Sequence, residues 1–170
     1  MSKNPPLESP VLLKPSHHVE GFDCGAEPLN IYLKRFADIN NRNDSARTYV
    51  TLRDNQVVGY YTIAAGSVEK EKAPERVGHG LARHPVPIIL LARLAVDKRE
   101  KGKSLGGGLL RDALFRVVSA AEIIGGRALL AHAKDEQAKG FYEHYGFEPS
   151  PVDSFHMFLL MKDIRKTLGV

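Results

Sequence analysis

The spacing of apolar residues changes along the chain, and each change marks an element. Residues 11–13 are apolar and short enough for an edge strand. Residues 21–28 carry turn formers, among them Asp23 and Gly25. Leu29, Tyr32, Leu33, Phe36 and Ala37 then recur at helical spacing, and the uniformly polar run 40–45 predicts the end of that helix. Residues 47–53 and 57–65 are rich in β-branched and aromatic side chains. They flank Asp54-Asn55-Gln56, a connection of hairpin length. Tyr60 and Tyr61 are adjacent in the second strand and point to opposite faces, so one of the two is expected in the core.

Residues 67–86 have no clear period and predict a long loop, which compact domains usually keep for a purpose. Residues 88–96 are the most apolar stretch and suit a strand buried on both faces. A basic turn follows over 97–104. Leu109, Leu110, Ala113, Leu114, Val117, Val118 and Ala121 then form an amphipathic helical stripe that Gly125-Gly126 closes. Residues 127–133 predict another buried strand, 135–145 a shorter helix ending at Gly146, and 155–161 a last strand. Strand and helix alternate in this half, which predicts a layered α/β fold with a partly parallel sheet. The expected organisation is a flexible tail over 1–9, a single domain over 10–162 and a basic C-terminal tail over 163–170.

Composition narrows the class. A chain of 170 residues with 43% hydrophobic and 26% charged residues fits one soluble globular domain. The single cysteine, Cys24, excludes an intramolecular disulfide and argues for a small packed residue. His17, His18 and His132 lack metal-ligand spacing, so no metal is expected. The N-terminus has no apolar signal core, and no apolar run approaches the ~20 residues that span a bilayer. The expectation is a cytoplasmic protein without a membrane role. The formal charge of +4 is mild, but between residues 98 and 111 Lys98, Arg99, Lys101, Lys103 and Arg111 face only Glu100.

That basic cluster surrounds the sharpest local feature, the run from Arg99 to Gly108 between an apolar strand and an amphipathic helix. The first N–H groups of a helix lack intrahelical partners, and the helix dipole adds positive potential there. Small residues let a phosphate approach the backbone, so such a turn is an anion site. Three glycines in the first turn cost up to about 1 kcal/mol each relative to alanine, which calls for a reason. Gly102-Lys103-Ser104 matches the end of a nucleotide-hydrolase phosphate loop, but Asp97 stands where that motif needs its first glycine. A dinucleotide-binding G-x-G-x-x-G is not present.

A third reading fits better. Residues 91–97 followed by Arg99-x-x-Gly102-x-Ser104 resemble motif A, [RQ]-x-x-G-x-[GA], of the GNAT acetyltransferase superfamily. Phe141-Tyr142-Glu143-His144-Tyr145-Gly146-Phe147 resembles its motif B. Ser104 departs from the pattern, which usually has glycine or alanine there. Phe22-Asp23-Cys24-Gly25, residues 29–33, 46–50, 58–61 and 64–68 further resemble the GNAT toxins of bacterial type II toxin–antitoxin modules, over about residues 10–162.

The resemblance implies a GNAT fold: a central mixed, twisted sheet with helices on both faces, and splayed parallel strands that form the acetyl-CoA cleft. It implies acetyl-CoA as co-substrate, with Leu94, Ala95 and Val96 along the pantetheine and acetyl group. Arg99, Lys101, Gly102, Lys103, Ser104, Leu105 and Gly106 would surround the diphosphate. It makes Tyr142 the acid that protonates the departing thiolate. It implies an N-acetyltransferase toxin that modifies the α-amine of aminoacyl-tRNA and blocks translation. Arg93, Arg47, Arg76 and Arg83 are the candidates for the RNA, with Lys34, Arg35 and Arg42 as further cations. A ribbon-helix-helix antitoxin and a homodimer are the implied protein partners. Arg93 interrupts an apolar strand, so it either meets a structural partner or reaches the acceptor. The alternatives are a GNAT enzyme for a small amine or a protein N-terminus and, from another class, a P-loop-like nucleotide-binding protein.

Overall fold

The computed structural model describes residues 5–81 and 85–170, which form two compact units. The first holds Met1–Ala64 and Arg93–Ala113, the second Ala65–Ala92 and Leu114–Val170. In the first unit β1 (Val11–Leu12) pairs antiparallel with β2 (Arg47–Arg53), and β2 with β3 (Gln56–Val68). The β2–β3 turn is tighter than the three residues expected. Arg53 pairs with Gln56, and Asp54 and Asn55 both take positive φ (47° and 61°), the two-residue turn whose twist matches a hairpin. Tyr60 and Tyr61 are both fully buried, against the expectation of one. Tyr60 packs on Phe22 and Tyr32, while Tyr61 stacks on Tyr49 and donates to Asp112, so both faces of β3 are covered here.

The predicted first helix is three segments: α1 (Glu27–Ile31), a π-helical turn over Tyr32–Phe36, and α2 (Ala37–Arg42). It does not stop at residue 40, because its polar side chains are anchored. Asn40 donates to the Tyr32 hydroxyl, the Asn41 carboxamide accepts from Thr48 N, and Arg42 pairs with Asp38 one turn back. The described part of the N-terminal segment is tied down rather than loose. Glu8 exchanges hydrogen bonds with Leu52 and Thr51, and Arg53 donates to the Pro5 carbonyl.

β4 (Val86–Val96) and α4 (Leu105–Ile124) contribute residues to both units. Within the first, Gly59 of β3 seats the start of α4: an added Cβ would lie 3.0 Å from Leu109 and 3.1 Å from Thr51. In the second, β4 runs parallel to β5 (Ala128–His132) only over Ile88–Leu91, opposite Ala128–Ala131. β5 pairs antiparallel with β7 (His156–Leu160), and β7 with the short β6 (Glu148–Pro149). The sheet order is β1-β2-β3-β4-β5-β7-β6.

The aperiodic stretch is partly ordered: β3 reaches Val68, a 3₁₀ turn covers Lys70–Lys72 and α3 covers Glu75–Gly78. Arg127 holds α3 by donating to the carbonyls of Val77 and His79. The expected C-terminal tail is instead α6 (Met161–Leu168). Ile164 is fully buried and Asp163 pairs with Arg76, so an apolar anchor and a charge fix what composition alone marked as a tail.

Candidate active site

The basic turn begins with Asp97, which caps a 3₁₀ turn over Lys98–Glu100. Its carboxylate is 2% exposed and accepts four hydrogen bonds. Oδ1 takes Arg99 N and Nε (both 2.9 Å), and Oδ2 takes an Arg99 terminal nitrogen and Asp23 N (both 3.0 Å). Burial alone would raise its pKa, but the bonds from Arg99 and Asp23 outweigh burial and hold it below the usual carboxylate range. The same bonds raise the Arg99 guanidinium. A buried carboxylate at this position also removes the nucleotide-hydrolase reading, because the backbone approach that glycine would allow is filled by an anchored side chain.

A second strap joins this turn to residues 23–25. Lys98 N donates to Asp23 O (2.9 Å), Lys98 Nζ pairs with the Asp23 carboxylate (3.2 Å), and Lys101 Nζ donates to Cys24 O (3.0 Å). Asn30 locks the loop from the other side. Its oxygen accepts Cys24 N and its nitrogen donates to Asp23 Oδ1. Asp23 is held at about 2, first by the Gly25 backbone N–H, then by Asn30 and Lys98. Glu100 is 5% exposed and faces Arg53 and Lys103, with Arg53 the main reason its pKa is lowered. Five cations thus surround three carboxylates, and the turn keeps a positive excess.

Beyond the 3₁₀ turn the backbone reverses through Gly102 (φ +81°) and Ser104 (φ +62°). The Ser104 carbonyl accepts Gly108 N at 3.2 Å, the first hydrogen bond of α4. The N–H groups of Leu105, Gly106 and Gly107 therefore belong to the first turn, where intrahelical partners are lacking. Nothing lies within 4 Å of a Cβ built on Gly102 or Gly108, so the turn has room for a ligand against its backbone. This arrangement fits the diphosphate of acetyl-CoA.

Leu94 and Val96 are half-buried and Ala95 buried, near the end of β4 and beyond the β4–β5 ladder. Arg93 meets a structural partner, an aromatic ring. Its guanidinium carbon lies 3.6 Å from the centroid of the Tyr32 ring, a cation–π contact. Arg47 faces Asp44 and the Asn41 carbonyl, and Arg76 faces Glu148 and Asp163. Arg83 lies outside the described residues.

Tyr142 stands in the second unit on α5 (Glu136–His144), which Asp135 caps by accepting Ala138 N. Gly146 (φ +91°) ends the helix and lets Phe147 return, so that its N–H reaches the Tyr142 carbonyl and its ring packs 5.1 Å from the phenol ring. Burial pushes the Tyr142 phenol up to about 12, so it stays protonated near neutral pH. Asp97, Asn30 and Tyr32 carry structural parts of the site that sequence reasoning did not assign. An acid just before a basic turn is a cap signal that marks Asp97, whereas the other two act only through tertiary contacts.

The family model of the acetyltransferase (GNAT) domain matches residues 44–149, which include parts of both units. A tRNA-acetylating toxin of Mycobacterium tuberculosis is 46% identical over 161 residues, 95% of this chain and 96% of the relative. The structure of AtaT complexed with acetyl-methionyl-tRNAfMet has a TM-score of 0.88 at 28% identity, over 96% of this chain and 99% of that one. The structure of an AtaT tyrosine-to-phenylalanine mutant toxin, bound to the C-terminus of the antitoxin AtaR and acetyl-CoA, has a TM-score of 0.83 at 28% identity. It covers 97% of this chain and 99% of that chain.

Proposed function

The chain belongs to the GNAT acetyltransferase domain family, and from that premise we propose that it is a toxin that moves acetyl from acetyl-CoA to the α-amine of aminoacyl-tRNA. The acetylated residue has no free amine to form a peptide bond, so translation is blocked. The observation that carries the choice of acceptor is the near full-length likeness to the tRNA-acetylating toxin. On this reading its partners are charged tRNA, a ribbon-helix-helix antitoxin and a second copy of itself, and it works in the cytoplasm.

The turn from Arg99 through Lys101, Gly102, Lys103, Ser104, Leu105 and Gly106 holds the diphosphate with N–H groups and cations. Leu94, Ala95 and Val96 present backbone to the pantetheine arm. The attacking amine forms a bond to the thioester carbonyl carbon, and the carbon–sulfur bond breaks. The Tyr142 phenol donates a hydrogen bond to sulfur as negative charge develops there. With its pKa raised, full transfer to a thiolate of pKa near ~8.5 is uphill, so Tyr142 is re-protonated quickly. The proton that the amine loses balances the one the thiol gains. An α-amine has a pKa near ~7.7–8, so a large share is already neutral and no strong base is needed. Arg93 is the acceptor-side cation. Arg47 and Arg76 reach RNA phosphates only by exchanging their present carboxylates, and Arg83 completes the set.

The test mixes the protein with labelled acetyl-CoA and total charged tRNA, beside Tyr142→Phe. Label in the RNA, released when the tRNA is deacylated and lost in the variant, is expected. Labelled small amines or protein N-termini with unlabelled RNA would move the acceptor to those classes.

A further inference from the structure

The π-helical turn gathers an aromatic cluster. Tyr32 lies near-parallel to Tyr60 (6.4 Å between centroids, 20°) and to Phe36 (6.5 Å, 26°). The cluster is pinned at its edges, with Asn40 donating to the Tyr32 hydroxyl and the Tyr60 hydroxyl donating to Leu29 O (2.7 Å). Arg93 covers a face of the Tyr32 ring, 3.6 Å from its centroid. The cluster is not wholly in the core. Phe36 is 50% exposed, although burying a phenylalanine would stabilise the fold by about 1.5–3 kcal/mol. Lys34 and Arg35, on the same turn, are exposed and have no carboxylate partner among the described residues. π-helical turns occur often at functional sites.

An exposed ring at the edge of a fixed aromatic cluster, on the same turn as two solvent-facing cations, matches the chemistry of an unpaired nucleotide. Unstacked bases at RNA ends are held on aromatic faces while cations take the phosphates. We propose that Phe36 is the stacking platform for an unpaired base at the 3′ end of the acceptor RNA, with Lys34 and Arg35 on the adjoining phosphates. This rests on aminoacyl-tRNA being the acceptor. A protein partner is the competing occupant, since Ile39, one turn on, is 49% exposed. The two cations favour the nucleotide.

The test measures binding of an intact deacylated tRNA, and of the same tRNA without its last three nucleotides, to wild type, Phe36→Ala and Phe36→Trp. Stacking on one aromatic residue predicts that Phe36→Ala weakens the intact tRNA by about 5- to 150-fold. The truncated tRNA binds both proteins equally, and Phe36→Trp retains wild-type affinity. The KM for charged tRNA rises in Phe36→Ala while that for acetyl-CoA is unchanged. Equal losses on intact and truncated tRNA, or no loss on either, overturn the platform. So does a loss confined to binding of the antitoxin. If wild type fails to acetylate tRNA, the acceptor reading itself has failed. If wild type acetylates it and Phe36→Ala matches it, only the platform has.

Discussion

Replacing Ser104 by glycine is expected to stabilise the protein, although it alters the turn proposed to hold the diphosphate. Ser104 sits at φ +62°, where its Cβ crowds the backbone. That conformation costs an L-residue about 1–2 kcal/mol. Glycine relieves the strain but gives the unfolded chain more freedom, an offset of about 0.4–1 kcal/mol. The net gain centres on about 0.8 kcal/mol, which for a chain of this size raises Tm by about 2–3 °C. Thermal unfolding of wild type, Ser104→Gly and Ser104→Ala checks this. The alanine variant keeps the Cβ and loses only the hydroxyl, so it should melt no higher than wild type. A glycine variant that melts at or below wild type would refute the strain argument and show that the hydroxyl stabilises the turn by more than the backbone loses.

Tyr142→Phe should keep the fold, since its ring still packs on Phe141 and Phe147, and should lower kcat by about 10²–10⁴ with little change in either KM; steady-state kinetics decide. Asp97→Ala removes a buried acceptor of four hydrogen bonds and is expected to cost about 2–3 kcal/mol in denaturant unfolding, with a raised KM for acetyl-CoA. Asp97 and Glu100 have lowered pKa values, so their stabilising share is full above about pH 5 and is lost as pH falls through the lowered values. Asp97→Asn should flatten that acid limb, and an unchanged limb would count against it. His132 is held below its ordinary value first by burial and then by His156, stacked 4.1 Å away. The unfolded chain therefore takes the proton first, and stability should fall as pH drops below about 6.5 and level off below the lowered value. His132→Asn should reduce that slope in pH-dependent melts.

Periodicity revealed most of the architecture because the strongest patterns lie where burial is one-sided or complete. The stripe from Leu109 to Ala121 and the run from Ile88 to Val96 both became the elements their spacing predicts. What stayed hidden depends on partners distant in sequence. The polar end of α2 is helical because Asn40 and Asn41 find Tyr32 and Thr48, and α6 exists because Ile164 is buried and Asp163 meets Arg76. The basic turn before α4 was readable from glycines and cations, and the chain belongs to the family its motifs resemble. Its anchoring by Asp97, Asp23 and Asn30 was not readable, because the bond between Asp23 and Asp97 alone spans 74 residues.

The pairing of Arg47 with Asp44, and of Arg76 with Glu148 and Asp163, has a consequence for ionic strength. RNA binding is driven in part by counterions released as cations meet phosphates. A phosphate that meets such an arginine sheds its condensed cation, but the carboxylate the arginine gives up takes a cation in turn. The plot of log affinity against log salt should then be shallower than a tally of basic side chains implies, by about 1.4–1.8 units for these two residues. On the proposed reading, the cations that set its slope are those left facing water, Lys34 and Arg35 among them.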